Sequence, residues 1–207
     1  MRTMRLAILG LLITVTSSMA DDLLNPPRLA YTQWGVYGGM SHIIDEERLK
    51  WDVGYRLGGY LYFLATPQTG LGLQVSWEHV TPDADGWGDV INEAIANISS
   101  TEPTGHTSVL SIIPTFRWSS GCADCLVNPF GEIGVGLHLR ESVVWAEGDR
   151  LIIDMSQARV AMSMALGLSI GEIDKLRLEI FPAYHLAFPL DEALDYYSLN
   201  IGVSLRI

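Results

Sequence analysis

From Gln33 to Ile207, apolar and polar residues alternate with a period of two in eight separate runs. That period is the mark of strands with one apolar and one polar face. The first run sets Trp34, Val36 and Met40 against Gln33, Tyr37 and Ser41; the second sets Trp51, Val53, Tyr55, Leu57, Leu61 and Phe63 against Asp52, Arg56, Tyr60 and Tyr62. Leu71, Leu73, Val75 and Trp77 carry the third run, and Leu110, Ile112, Phe116 and Trp118 the fourth. The fifth has Ile133, Val135, Leu137 and Leu139, the sixth Val160 to Ile170, the seventh Leu176, Leu178 and Ile180, and the eighth Tyr197 to Ile207 at every second position. Opposite these apolar residues stand glycine, hydroxyls, Glu78, Arg117, Glu132, His138, Arg159, Arg177, Glu179 and Arg206.

Alternation alone fits a water-soluble sandwich as well as a membrane barrel. Three features favour the barrel: runs of about ten residues, the length a tilted membrane strand needs; Trp34, Trp51, Trp77, Phe116, Trp118 and Tyr197 towards the ends of the apolar faces; and a last strand that reaches the final residue. Connection lengths add a fourth. Thr66–Gly70, Ser119–Asn128 and Gly171–Asp174 are short, whereas Ser41–Lys50, Thr81–His106, Trp145–Asp154 and Pro189–Leu194 are longer. Short turns at one end and longer loops at the other are the pattern of an outer-membrane barrel. The expected fold is all-β, an eight-stranded antiparallel up-and-down transmembrane β-barrel.

Eight strands enclose a lumen that side chains fill. Asp52, Glu78, Glu132 and Glu179 are expected there beside Arg56, Arg117, Arg159, Arg177 and Arg206, with Arg56 and Glu78 in ion-pairing reach. Within Thr81–His106, Trp87, Val90, Ile91, Ala94, Ile95 and Ile98 recur at helical spacing. This is a loop helix packed on the rim or, in a sharper reading, one that touches the outer leaflet.

The first twenty residues follow another logic. Arg2 and Arg5 precede an apolar run from Leu6 to Val15, too short to span a bilayer as a helix, and Ser18-Met19-Ala20 is a small-x-small cleavage signature. The expected organisation is a signal peptide over 1–20 and a barrel domain over 21–207, exported to the outer membrane of a Gram-negative bacterium. Cleavage leaves 187 residues of the 207, and eleven basic residues against twenty-four acidic ones, a net charge of −13. Such a balance excludes nucleic acid as a partner and argues against a simple electrostatic grip on anionic lipid; it is the barrel reading that makes outer-membrane lipid, lipid A included, the expected partner. Cys122 and Cys125, the two cysteines, fall between the fourth and fifth runs, where a local disulfide stapling a turn is expected. Neither a cofactor nor a metal site is expected.

The segment from Ser108 to Trp118, followed by Asn128-Pro129-Phe130-Gly131-Glu132-Ile133-Gly134-Val135-Gly136-Leu137, resembles the central hairpin of the outer-membrane lipid A 3-O-deacylases (PagL-like, acyloxyacyl-hydrolase-like). Tyr184-His185-Leu186-Ala187-Phe188 and Asp195-Tyr196-Tyr197-Ser198-Leu199 resemble that family's last two strands. The resemblance implies ester hydrolysis of a lipid A acyl chain by a Ser-His-Glu triad on the outer wall, in a motif reading His-x-Ser-Asn. It makes His185 the base and Asp195 the orienting acid. The nucleophile position falls on Ala187, and the Asn position on Phe188. Alanine has no oxygen with which to attack a carbonyl, so what remains is a His–Asp pair that could activate water. The alternative is a non-catalytic structural or surface-interaction barrel, with Asp45, Glu46, Glu47, Asp83, Asp85, Asp89, Glu93, Asp191, Glu192 and Asp195 making its loop end negative.

Strand parity decides between the two readings. An unbroken seventh strand points His185 into the lumen. The catalytic reading requires it outside, through one extra residue at Phe181-Pro182, since a bulge there flips every later side chain.

Overall fold

The computed structural model describes residues 31–44, 52–66, 68–81, 104–119, 125–146, 150–172, 176–188 and 194–207. The strands are β1 (Tyr31–Ile44), β2 (Gly54–Leu64), β3 (Thr69–Val80), β4 (Thr104–Ser119), β5 (Val127–Ala146), β6 (Arg150–Ile170), β7 (Arg177–Ala187) and β8 (Leu194–Arg206). Each pairs antiparallel with the next, and β8 pairs back onto β1, closing an eight-stranded barrel. The chain ends zip the seam: Thr32 N donates to Ile207 O at 2.9 Å, and Ile207 N to Thr32 O at 2.8 Å.

The phase read from the sequence holds in all eight strands. Outside, Val36, Leu57, Phe63, Leu71, Val135, Leu166, Leu199 and Ile201 remain exposed, together with many other large apolar side chains. Inside, Arg56, Glu78, Arg117, Glu132, Glu179, His138 and His185 are buried. This reverses the order of a water-soluble protein, and only a hydrocarbon medium makes the wall favourable. Asp52 is the exception among the expected lumen charges. It is exposed and precedes β2, its N–H donating to Thr81 O at 3.0 Å.

Two aromatic levels mark the apolar band. Near the turn end, Phe116 and Trp118 stack at 6.1 Å, with Trp118 lying over Gly131, where a side chain would find no room. Near the loop end stand Tyr55, Trp77 and Tyr197. On β2, Tyr55 and Phe63 are eight residues apart, about 26 Å of strand, which at the usual tilt rises about 20 Å and so spans most of a band roughly 25 Å tall.

At the turn end the chain reverses tightly. Thr66 Oγ1 accepts from Gln68 N and Thr69 N at 3.2 and 3.0 Å, a hydroxyl standing in for a backbone carbonyl. Gly171 takes a φ of +133°, which L side chains rarely adopt, while its N–H reaches Leu126 O at 2.8 Å. Cys125 lies at this end and is disulfide-bonded; Cys122 lies outside the described residues. So do residues 1–20, the helical spacing from Trp87 to Ile98, and all the acidic loop residues named above except Asp195.

The loop end departs from expectation at one connection. The alternation predicts a loop over Trp145–Asp154, but β5 runs to Ala146 and β6 begins at Arg150, with a register shift at Val144/Trp145. Val143, Val144 and Trp145 on one side and Leu151, Ile152 and Ile153 on the other favour extended backbone. The hairpin therefore rises past β7, which pairs with β6 only from Ala161 onward, while β4 accompanies β5 as far as Trp145.

Candidate functional site

The placement of His185 turns on β7. Its burial alternates without interruption from Arg177 to Ala187, and its register with β8 runs unbroken from Arg177↔Ser204 to Ala187↔Leu194. The bulge expected at Phe181-Pro182 is absent. Proline instead acts by subtraction. The β6–β7 ladder lacks the two pairs at Phe181 and Pro182, then resumes in the same register. Pro114 does the same between β4 and β5. In each case the carbonyl before the proline receives a side-chain donor from the lumen: Thr115 Oγ1 to Ile113 O at 2.9 Å, and Asn200 Nδ2 to Phe181 O at 3.3 Å. A missing N–H opens a ladder without adding a residue, so parity survives.

His185 consequently points into the lumen and is fully buried. Its Nε2 contacts Arg56 Nη1, and its ring stacks on Tyr196 with centroids 4.5 Å apart and planes 12° from parallel. His138 lies 5.9 Å from His185 between ring centroids. Arg56 also reaches Ser76 Oγ at 2.9 Å, Ser198 Oγ at 3.1 Å and Glu78 Oε1 at 3.1 Å, the ion pair expected from strand phase. An arginine has no lone pair to give, so His185 Nε2 is the acceptor in this contact.

Asp195 sits on the opposite side of the wall. It accepts a 2.7 Å hydrogen bond from Tyr184 Oη, both side chains facing outward. The base and the acid implied by the resemblance are therefore separated by the sheet and do not form a pair. Ala187 also faces inward, fully buried in an apolar collar with Ile43, Val80, Val109, Ala161 and Tyr196. Phe188 is exposed beyond the strand end.

The second lumen cluster lies nearer the turn end, and sequence reasoning found its members without their geometry. Arg117 bridges Glu132 at 3.0 Å and Glu179 at 2.7 Å, and its guanidinium lies 3.8 Å from the centre of the Phe130 ring. Tyr60 donates to Glu179 at 2.6 Å, Gln33 to Glu179 at 3.1 Å, and Gln74 to Glu132 at 2.5 Å. This part of the lumen is thus filled by paired polar side chains.

On the outside, a recess of about 500 Å³ opens where Gly38 leaves a gap among Val36, Leu57, Ile201 and Val203. It has no reactive side chain. Among the described residues, no three His, Cys, Asp or Glu side chains gather as metal ligands.

No family model and no curated protein sequence matches the chain. Solved structures do. A major outer membrane protein from Thermus thermophilus aligns with a TM-score of 0.54 at 17% identity, over 85% of this chain and 99% of that one. Ail, the attachment invasion locus protein of Yersinia pestis, crystallised with the heparin analogue sucrose octasulfate, aligns at 0.53 and 12% identity, over 87% and 100%. The outer membrane enzyme PagL aligns at 0.45 and 15% identity, over 82% and 97%, a likeness too weak to bear on function. The first two show that this chain has the fold of the small outer-membrane barrels.

Proposed function

We propose that the chain is a non-catalytic barrel of the bacterial outer membrane, exported through a signal peptide over 1–20, with its loop end outside the cell as the working face. The observation that carries this reading is the lumen position of His185, held by Arg56 and stacked on Tyr196. A base enclosed by the wall cannot reach a lipid ester, and general base catalysis requires hydrogen-bond reach of the reacting proton. The lipid A deacylase reading implied by the resemblance needs the opposite parity. Of the implied base and acid, Asp195 alone remains outside, hydrogen-bonded to Tyr184. The acidic loop residues, in a mature chain of net charge −13, suit a face that meets cations or basic partners.

The test is mass spectrometry of lipid A from cells with and without the protein. Identical acylation is expected. Loss of one ester-linked chain in cells that carry the protein would restore the hydrolase reading. Cell fractionation should place the protein in the outer membrane, with a mature chain starting at Asp21.

A further inference from the structure

One cluster on the outward face takes no part in the lumen chemistry. Tyr55 on β2, Trp77 and His79 on β3, and His106 and Ser108 on β4 occupy neighbouring outward positions near the loop end, because the register sets Tyr55 beside His79 and His79 beside Ser108. Tyr55 packs against Trp77 at 5.5 Å and against His79 at 5.2 Å. Trp77 and His79 are 5.7 Å apart, and His79 stacks on His106 at 5.1 Å with 27° between the planes. His79 Nδ1 lies 3.3 Å from Ser108 Oγ. Four rings thus form a continuous platform across three strands.

The charge around this platform is telling. Arg56, Arg117, Arg140, Arg159, Arg177 and Arg206 all project from the lumen side of their strands. Among the described side chains on the outward face, the groups able to become cations are imidazoles: His42, His79 and His106. His79 and His106 are the two that touch. They stand at the upper aromatic level, where lipid headgroups begin. An imidazole donates from one ring nitrogen when neutral and from both when protonated. Aromatic faces, for their part, offer an apolar bed to the C–H face of a sugar ring.

We propose that this platform binds a phosphorylated sugar, with the rings of Tyr55 and Trp77 receiving the sugar and His79, His106 and Ser108 hydrogen-bonding its phosphate. The inference rests on the outer-membrane reading above, which makes the headgroup of an outer-leaflet glycolipid the first source. Glu141 is exposed on the far side of Ser108, its partner in the β4–β5 register, and holds the phosphate to the histidine side.

The experiment uses the purified mature barrel in lipid nanodiscs, with native mass spectrometry reading the retention of bisphosphorylated lipid A against its dephosphorylated form. The wild type should retain the phosphorylated lipid preferentially. The double variant His79→Gln/His106→Gln should retain it roughly tenfold less well, having lost the two ring donors placed for the phosphate, and Glu141→Gln should retain it better. Competition by free glucosamine 1-phosphate would make a soluble sugar phosphate the ligand; no competition would make it the lipid. Both outcomes support the site. Equal retention of both lipids, or equal retention by wild type and the double variant, would overturn it and leave the rings as a membrane anchor. Heat-dependent gel mobility verifies that each variant is folded, and the single variant His79→Gln repeats the measurement if the double variant is not. Location is read separately by fractionation. A protein found outside the outer membrane that still selects phosphate sinks the location alone, and one in the outer membrane that does not select sinks the platform alone.

Discussion

The two charged clusters of the lumen are built from the same residue types and differ in completeness. Around Arg117, every member finds a partner: two carboxylates, two tyrosines, two glutamines and Ser204 close a network over the Phe130 ring. Around Arg56, one carboxylate faces one guanidinium, and several buried atoms have no hydrogen-bond partner: Arg56 Nε, Glu78 Oε1, His138 Nδ1 and His185 Nδ1. Glu78 Oε1 is within ion-pair distance of Arg56, but no hydrogen bond reaches it. A buried ion pair is stable to the extent that additional hydrogen bonds satisfy what it leaves over. The cluster around Arg117 is therefore the more completely satisfied of the two, and the cluster around Arg56 the one whose polar groups are held less completely.

Replacing the centre of each cluster tests this contrast. Arg117→Met should have the largest effect, because it strands Glu132 and Glu179 together in the lumen. A loss of about 3–5 kcal/mol per broken buried pair is the ordinary cost, so urea-dependent refolding into vesicles should fail or shift far to lower urea. Arg56→Met strands Glu78 alone and should cost about 3 kcal/mol by the same measurement. The double variant Arg56→Met/Glu78→Gln should recover most of that, since exchanging a whole buried pair for neutral groups is often nearly neutral. An Arg56→Met loss equal to or above that of Arg117→Met would break the contrast.

Smaller effects sharpen it. His185→Gln removes the stack on Tyr196 and the contact with Arg56, and should cost about 1–2 kcal/mol, with no change in the lipid A of cells that carry it. Ala187→Ser should be the mildest, within about 1–2 kcal/mol for a buried hydroxyl. It should add no hydrolytic activity, because the new oxygen would stand in the collar beside Ile43 and Tyr196 and away from lipid. Deacylation of lipid A by Ala187→Ser would show that β7 can invert, and would remove the basis of the non-catalytic reading.

Much of the site was legible one strand at a time. Arg56 and Glu78 share a phase on neighbouring strands, and their pairing follows from parity and antiparallel order alone. The platform of Tyr55, Trp77 and His79 was half visible, since Tyr55 and Trp77 lie on the apolar face and His79 follows Trp77 by two. What hid it was His106, assigned to a loop because the apolar alternation of its strand becomes plain only at Leu110. Pro182 misled for a physical reason: a proline within a strand is compatible either with an inserted residue or with an open ladder, and the sequence is the same in both cases.

By itself the sequence determined the number of strands, the face each turns to lipid, the turn end and the loop end, and the charge content of the lumen. All of these are properties of a period of two and of the residues between runs, and they need no knowledge of what lies across the barrel. Only the tertiary structure decided that Arg117 on β4 reaches Glu179 on β7, that β5 and β6 rise past β7, and that His185 meets Arg56 while Asp195 meets Tyr184. Contacts across the lumen are set by closure and stagger, which no single strand encodes. The parity of His185 is set by whether the ladder at Pro182 gains a residue or merely loses hydrogen bonds, and the unbroken register with β8 shows the second.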